Sequence, residues 1–452
     1  MALKQMDALA ALREAAGEVI EASLCEIQGG WLALVRTQDG KRLAFAAKGE
    51  AALSALWKDV EKEADVKDVH VAVMALNANN AALVRRYIKW TAPTACGTKG
   101  ASIGFSDWLG EADAVVAELF NKRQLKPVLV DFTTEDSEAL QRYFVQAVDT
   151  ATWGVLEEGY KEGYGANAAG LKTEEEIVKA LLYGYSMIGF DCSDKIDLGI
   201  EKLSDEAVDK RFEQFNETFR AALHASYLNA EFKVGGSKIT FTENQLHRIV
   251  LEYGEAIMHI QFIYNSYLKN TPWDIDFELD LSKPGKVLTP QEHYLIGNEL
   301  QRNGIKLTAI CLDPLKDAEA VNDNLQLHCE IADTFGYRLS FKNADIAMND
   351  TAAAMKYLKG KVHFKMNNIL WLSAIELVKA LDADLFGKLC AACGCEATAD
   401  AADRALVLGY RKALNPKEEG NVAADMKAFL EAHHAEYAAA IKENVAAKLK
   451  NI

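Results

Sequence analysis

His363 and Lys365 stand two residues apart in the run Lys361-Val-His-Phe-Lys365. That spacing puts both side chains on one face of a strand. An imidazole and an ammonium side by side can hold a metal or the carboxylate of a sugar acid. The plainer alternative is a buried histidine with a single hydrogen-bond partner. Glu292 and His293 form a second acid–base pair, but Thr289-Pro290-Gln291-Glu292 also reads as a helix start. Thr289 would be its N-cap, Pro290 its first residue and Glu292 the closing side of a capping box. A capping role accounts for the glutamate and leaves His293 as the freer group. Asp191, Cys192, Asp280, Ser282, Asp313, Lys342 and Asn343 follow other short apolar runs, where strand C-termini would present them.

Other spacings carry less. Cys390, Cys393 and Cys395 form C-x-x-C-x-C, but a structural zinc needs a fourth ligand and none is near in sequence. His224, His247, His259 and His328 lie in helical patterns flanked by core residues, without H-x-x-x-H or H-E-x-x-H spacing. In CGTKGASIG, Lys99 precedes Gly100, so the Walker pattern fails. Neither a G-x-S-x-G elbow nor a dinucleotide fingerprint is present, so no nucleotide cofactor is expected.

These groups need strands to hold them. Apolar runs at 102–105, 127–132, 187–192, 275–281, 307–312, 338–341 and 361–364 are mostly followed by helical stretches. Repeated β–α units predict a parallel sheet covered by helices, and seven candidates come within one strand of a (β/α)8 TIM-like barrel. A doubly wound open sheet is the alternative. The division expected is an α+β unit over 1–90, the barrel over 91–386 and a helical appendage over 387–452. In the first unit Asp39-Gly40 signals a hairpin, followed by a helix over 51–63, a strand over 69–76 and a helix over 81–90. A long insertion, 194–273, leaves a strand C-terminus and is expected to form a lid or pocket wall. Within it Val208, Phe212, Phe215, Phe219 and Leu223 repeat at helical spacing as one buried face. The segment 151–173 mixes Trp153, Tyr160 and Tyr164 with glycines and reads as close turns against flat side chains.

The chain has 452 residues and a formal net charge of −16, which disfavours nucleic acid and anionic membrane surfaces as partners. No segment reaches the ~18 apolar residues of a membrane span. The amphipathic N-terminus and eight scattered cysteines suit a reducing cytoplasm. An oligomer is left open.

The sequence resembles the tagaturonate/fructuronate epimerase family. The resemblance rests on ATWGVLEEGYKEGYGANAAGLKT (151–173), YGEAIMH (253–259), LTPQEHYLIGNELQRNGIK (288–306), KVHFK (361–365) and ALDADLFGKL (380–389), with GFSDWLG (104–110) in support. It implies a barrel, a divalent metal, a small sugar-acid substrate and epimerisation of a keto-hexuronate by retro-aldol cleavage and re-addition. On that basis His293, Lys365 and Asp107 are the expected catalytic groups. Trp153, Lys342 and Glu292 are the expected substrate contacts, and His363 and His328 the expected metal ligands.

The family's polar positions differ here. Phe341-Lys342-Asn343 stands where the family carries His-Ser-Gly, and Ser282-Lys283-Pro284 replaces Asp-Glu-Thr. Trp108 replaces an arginine, and Gly170 and Lys195 replace histidines. The reading is therefore a divergent family member with its metal site altered or lost, acting on a keto-hexuronate or related sugar. The alternative is a non-catalytic sugar-acid-binding or scaffolding homologue. An enzyme should bring at least two of His363, Lys365, His293 and Asp107 to one bound carbon.

Overall fold

Eight short runs, each followed by helix, close on themselves as a parallel barrel in the computed structural model. It describes residues 3–27, 29–48, 57–281, 288–315, 323–348, 351–396, 398–450 and 452. The barrel strands are β1 (Ser102–Phe105), β2 (Lys126–Thr133), β3 (Gly165–Leu171), β4 (Met187–Asp191), β5 (Asp276–Asp280), β6 (Ala309–Leu312), β7 (Arg338–Phe341) and β8 (Val362–Met366). Each pairs in parallel with the next, and β8 returns to β1. Closure leaves no sheet edge exposed.

The seven expected strands are all present, and the eighth is β3. It lies inside the segment read as turns, which instead divides into the end of helix α1 (Phe144–Glu158), a tight connection and a strand. Gly-Ala-Asn-Ala-Ala-Gly-Leu has little intrinsic strand preference. Packing dictates its small residues: a Cβ on Gly165 would stand 2.9 Å from both the Cys96 sulfur and the Val128 Cγ2.

The first unit is an antiparallel sheet that includes the hairpin Gly30–Thr37/Gly40–Lys48. One face is covered by the helix Gln5–Ala16; the other packs on Trp57, Val84 and Leu156. The helix expected over 51–63 is corrected in part. Residues 51–56 lie outside the described residues, and Val60–Val66 is an edge strand paired with Val69–Met74. Its charged run, Val-Glu-Lys-Glu-Ala-Asp-Val, suits an edge exposed to water. The unit docks on α1, where the Arg85 guanidinium donates to Asp149 and Thr152, both at 2.8 Å.

The insertion holds helices α2 (Asp205–Phe212), α3 (Glu217–Tyr227) and α4 (Glu243–Ile263), with a hairpin over 232–239 between the last two. The phenylalanine face is not continuous. The chain breaks between α2 and α3, and Phe215 and Phe219 are exposed while Val208, Phe212 and Leu223 are buried. The insertion packs on the barrel flank against helices α5 (Pro290–Arg302) and α6 (Leu325–Phe335). The C-terminal helices pack outside the barrel, where the Tyr437 hydroxyl donates to the Leu370 carbonyl at 3.1 Å. No helix among the described residues is long and apolar enough to cross a membrane.

Candidate active site at the C-terminal mouth of the barrel

All barrel strands point their C-termini the same way, and a cavity of about 730 Å³ opens there. Asp131, Gly170, Asp191, Asp280, Lys342 and Lys365 line it from six different strands or the turns that follow them. In a (β/α)8 barrel this is the end where loops and strand termini gather reactive groups.

The cavity floor is a charge network. The Lys365 ammonium donates to Glu278 at 2.5 Å and lies 3.6 Å from Asp131. Burial pushes the Lys365 ammonium down, but the Asp131 and Glu278 charges raise it more, so it stays protonated. Burial likewise pushes the Asp131 carboxyl up. The Lys365 charge, the adjacent His363 imidazole and a hydrogen bond from Asn167 outweigh this and hold it at about 2. Its Oδ1 accepts from the Asn167 amide at 2.9 Å. Gly104, paired with Lys365 across β1 and β8, makes room for the network. A Cβ there would meet the Asp131 Oδ2 at 2.4 Å.

His363 lies beneath Lys365. Its Nδ1 is 2.9 Å from the Ser102 hydroxyl, which also accepts from Arg338 at 2.8 Å, and its Nε2 is 3.8 Å from Asp131. Burial lowers the imidazole's affinity for a proton. The β-strand spacing thus brings His363 and Lys365 to the same carboxylate, with only Lys365 on the cavity wall.

Lys342, just beyond β7, donates to the Asp280 carboxylate at the end of β5. Burial lowers this ammonium, but Asp280 and its neighbours raise it further, well above an ordinary lysine. Asn343 extends the wall and donates to Asp313 at 3.3 Å. Gly170 sits in the left-handed region at φ +71°, a conformation that disfavours any side chain.

Part of the wall comes from the distant C-terminus. The Tyr410 hydroxyl donates to Asp136 at 2.6 Å and the Arg411 guanidinium donates to the same oxygen at 2.8 Å. Asp136 also closes the capping box that starts the helix after β2. The Tyr410 ring stacks on Trp108, with centroids 3.4 Å apart and planes 9° from parallel.

The remaining expected residues lie elsewhere. Asp107 caps a turn, accepting from the backbone N–H groups of Gly110, Glu111 and Ala112. Glu292 closes the Thr289 capping box as its sequence context suggested, with Thr289 N–H donating to it at 2.7 Å. His293 is fully buried between α5 and α6, its Nδ1 2.9 Å from the His328 Nδ1 and its Nε2 2.8 Å from the Tyr337 hydroxyl. Burial drives His293 well below its usual range, and the neighbouring His328, held at about 4 by burial, adds to this. His328 therefore does not meet His363. Trp153 packs with Leu156 against the N-terminal sheet, on the outer side of α1. The structure brings Lys342, Lys365 and, one layer deeper, His363 together; it leaves Asp107, Glu292, His293, His328 and Trp153 off the cavity wall.

Sequence reading missed Asp131, Glu278 and the Tyr410–Arg411 pair. The first two carried a signal, a lone carboxylate inside an apolar strand run: Val-Leu-Val-Asp-Phe and Phe-Glu-Leu. A buried charge in such a run needs a partner. Nothing local marks Tyr410 and Arg411.

Among the described residues, the donor set at the mouth does not suit a divalent cation. Asp280 carries the Lys342 ammonium, and Glu278 and Asp131 share that of Lys365, so an added cation would face two fixed positive charges. Among the described residues, His, Cys, Asp or Glu ligand atoms converge in threes only at His224, Glu243 and His247, in the insertion. Ser282, Lys283 and Pro284 lie outside the described residues. The thiols of Cys390, Cys393 and Cys395 form no such group there either.

Geometry alone defines a (β/α)8-barrel protein with a charge-lined cavity at the C-terminal mouth of its strands. The family description of tagaturonate epimerases matches residues 20–436, and the chain belongs to that family. A tagaturonate/fructuronate epimerase of Thermotoga maritima is 28% identical over 383 residues, 82% of this chain and 78% of that protein. Crystal structures of a fructuronate-tagaturonate epimerase from Cohnella laeviribosi share the fold. Its glycerol complex superposes with a TM-score of 0.87 at 24% identity, and its native form with 0.85 at 24%, each covering 99% of both chains. Membership of the family supports an epimerase function.

Proposed function

We propose that this chain acts on a keto-hexuronate or closely related sugar acid, with the Lys342 and Lys365 ammonium groups serving as electrophile in place of a divalent cation. The observation that carries this reading is the Lys342–Asp280 pair on the cavity wall, beside Lys365. A retro-aldol epimerisation needs three things here. A base takes the proton of the hydroxyl on the carbon to be inverted. The bond from that carbon to the ketone's α-carbon then breaks, giving an aldehyde and an enolate. The enolate oxygen needs positive charge until the aldehyde has turned and the bond re-forms on its other face. Asp280 is the nearest base to Lys342, and the two ammonium groups supply charge that is fixed before reaction begins. Both lysines are held protonated. This favours electrostatic stabilisation over an imine route, which starts from a neutral amine.

A non-catalytic sugar-acid binder is the second reading. The observation favouring it is that Asp107 and His293 are engaged in a turn and in a helix interface. NMR of tagaturonate and of fructuronate with the protein in excess chelator separates the two. The enzymatic reading expects interconversion that survives the chelator and is lost in Lys342→Met. Substrate-induced thermal stabilisation without interconversion would establish the binder. Interconversion abolished by chelation would overturn the ammonium mechanism.

A further inference from the structure

His224 on α3 and His247 on α4 face each other in the insertion, with their Nε2 atoms 2.9 Å apart. Glu243 lies one helical turn before His247, and a carboxylate oxygen of it falls within 4.8 Å of a ring nitrogen of each histidine. The His247 Nδ1 is 2.7 Å from the Asp209 carboxylate on α2. That carboxylate fixes the tautomer: Nδ1 carries the proton, and the Nε2 lone pair points at His224. A carboxylate behind an imidazole is the usual outer support of a metal-bound histidine. The Phe212 ring stacks on His247 with centroids 3.7 Å apart and planes 14° from parallel, holding the ring's orientation.

From this arrangement we infer that the insertion carries a zinc site formed by His224, Glu243 and His247, with Asp209 orienting His247 and water completing the coordination. Two imidazole nitrogens and one carboxylate oxygen form a three-ligand zinc set, and imidazole ligands favour zinc over magnesium or calcium. Bound at about 2.0–2.1 Å to each nitrogen, the ion needs the two Nε2 atoms only a few tenths of an ångström further apart. The proton now shared between the rings leaves as the ion enters. Glu243 is exposed, so it can swing onto the metal without repacking the core. The ion would tie α3 to α4 across the hairpin 232–239, and through Asp209 to α2. None of these residues lines the barrel cavity, so the site is independent of the chemistry proposed there.

Elemental analysis and calorimetric titration of the full-length protein with Zn2+ test the site. One zinc per chain is expected, bound with proton release and raising the melting temperature. Cobalt in its place should show the visible band of a tetrahedral nitrogen–oxygen site. His224→Ala and the double variant His224→Ala/His247→Ala should lose the zinc. Glu243→Gln, at an exposed position, should fold normally and bind at least tenfold more weakly. Lys342→Met should keep full stoichiometry, which distinguishes this ion from any at the barrel mouth. Absence of binding by the unsubstituted protein, or unchanged stoichiometry in the double variant, would overturn the assignment.

Discussion

Replacing Lys365 with methionine removes the positive centre of the barrel floor while preserving much of the side-chain volume. At an effective dielectric of about 20, unit charges 2.5 and 3.6 Å apart attract by about 7 and 5 kcal/mol. Desolvation of three ionised groups offsets most of this gross attraction. The net loss on breaking such a buried set is about 3–5 kcal/mol, because two carboxylates are left without a counter-charge. Its pH dependence follows from the shifts. The native Asp131 carboxyl lies at about 2, below its unfolded value, so its contribution is present above about pH 4 and lost as pH falls toward 2. In Lys365→Met the same carboxyl, buried and unopposed, moves above the unfolded value. The variant then binds more protons folded than unfolded, and its stability falls as pH rises. The deficit should therefore be about 3–5 kcal/mol at pH 7 and clearly smaller at pH 4.5. Adding Glu278→Gln should restore part of it. Urea denaturation of the three proteins at both pH values provides the comparison. An equal deficit at the two pH values, or none at pH 7, would refute the charge-network reasoning.

Asp107→Ala leaves three backbone N–H groups without their acceptor and should cost about 1–3 kcal/mol, with sugar-acid affinity per folded molecule unchanged in calorimetry. The buried His293–His328 pair makes the protein acid-labile in a defined window. Stability from His328 is complete above its unfolded value near 6.5 and declines as pH falls toward about 4. Unfolding midpoints measured through this range should show a slope that flattens in the double variant His293→Phe/His328→Leu. Tyr410→Ala removes both the stack on Trp108 and the bond to Asp136 and should lower stability by about 3 kcal/mol in urea. Tyr410→Phe keeps the stack and should cost only about 1 kcal/mol.

The barrel was legible because seven of its strands fall on short apolar runs, read as buried parallel strands from composition and length. β3 was not, since alanine and glycine are chosen there for fit against Cys96 and Val128 rather than for strand preference. Alternation likewise brought His363 and Lys365 to one face, and the Thr289 start explained Glu292 locally. His293, His328 and Trp153 were assigned to the mouth by type and family position. The faces that carry them are set by which helix packs on which neighbour, information absent from local spacing. Asp107 shows the same limit at shorter range, because a buried aspartate can serve a turn's N–H groups as well as a substrate.

The bond from Tyr410 to Asp136 spans 274 positions in the chain. Synthesis runs from the N-terminus, so all eight strands exist before this stretch of wall is made. Until residues 410 and 411 emerge, Asp136 has neither of these partners and the Trp108 ring has only the tilted Trp371 ring, 6.4 Å away, beside it. A nascent chain that has not reached these residues therefore lacks this side of the cavity wall. In this fold the C-terminal tail is the last part of the cavity wall to be synthesised.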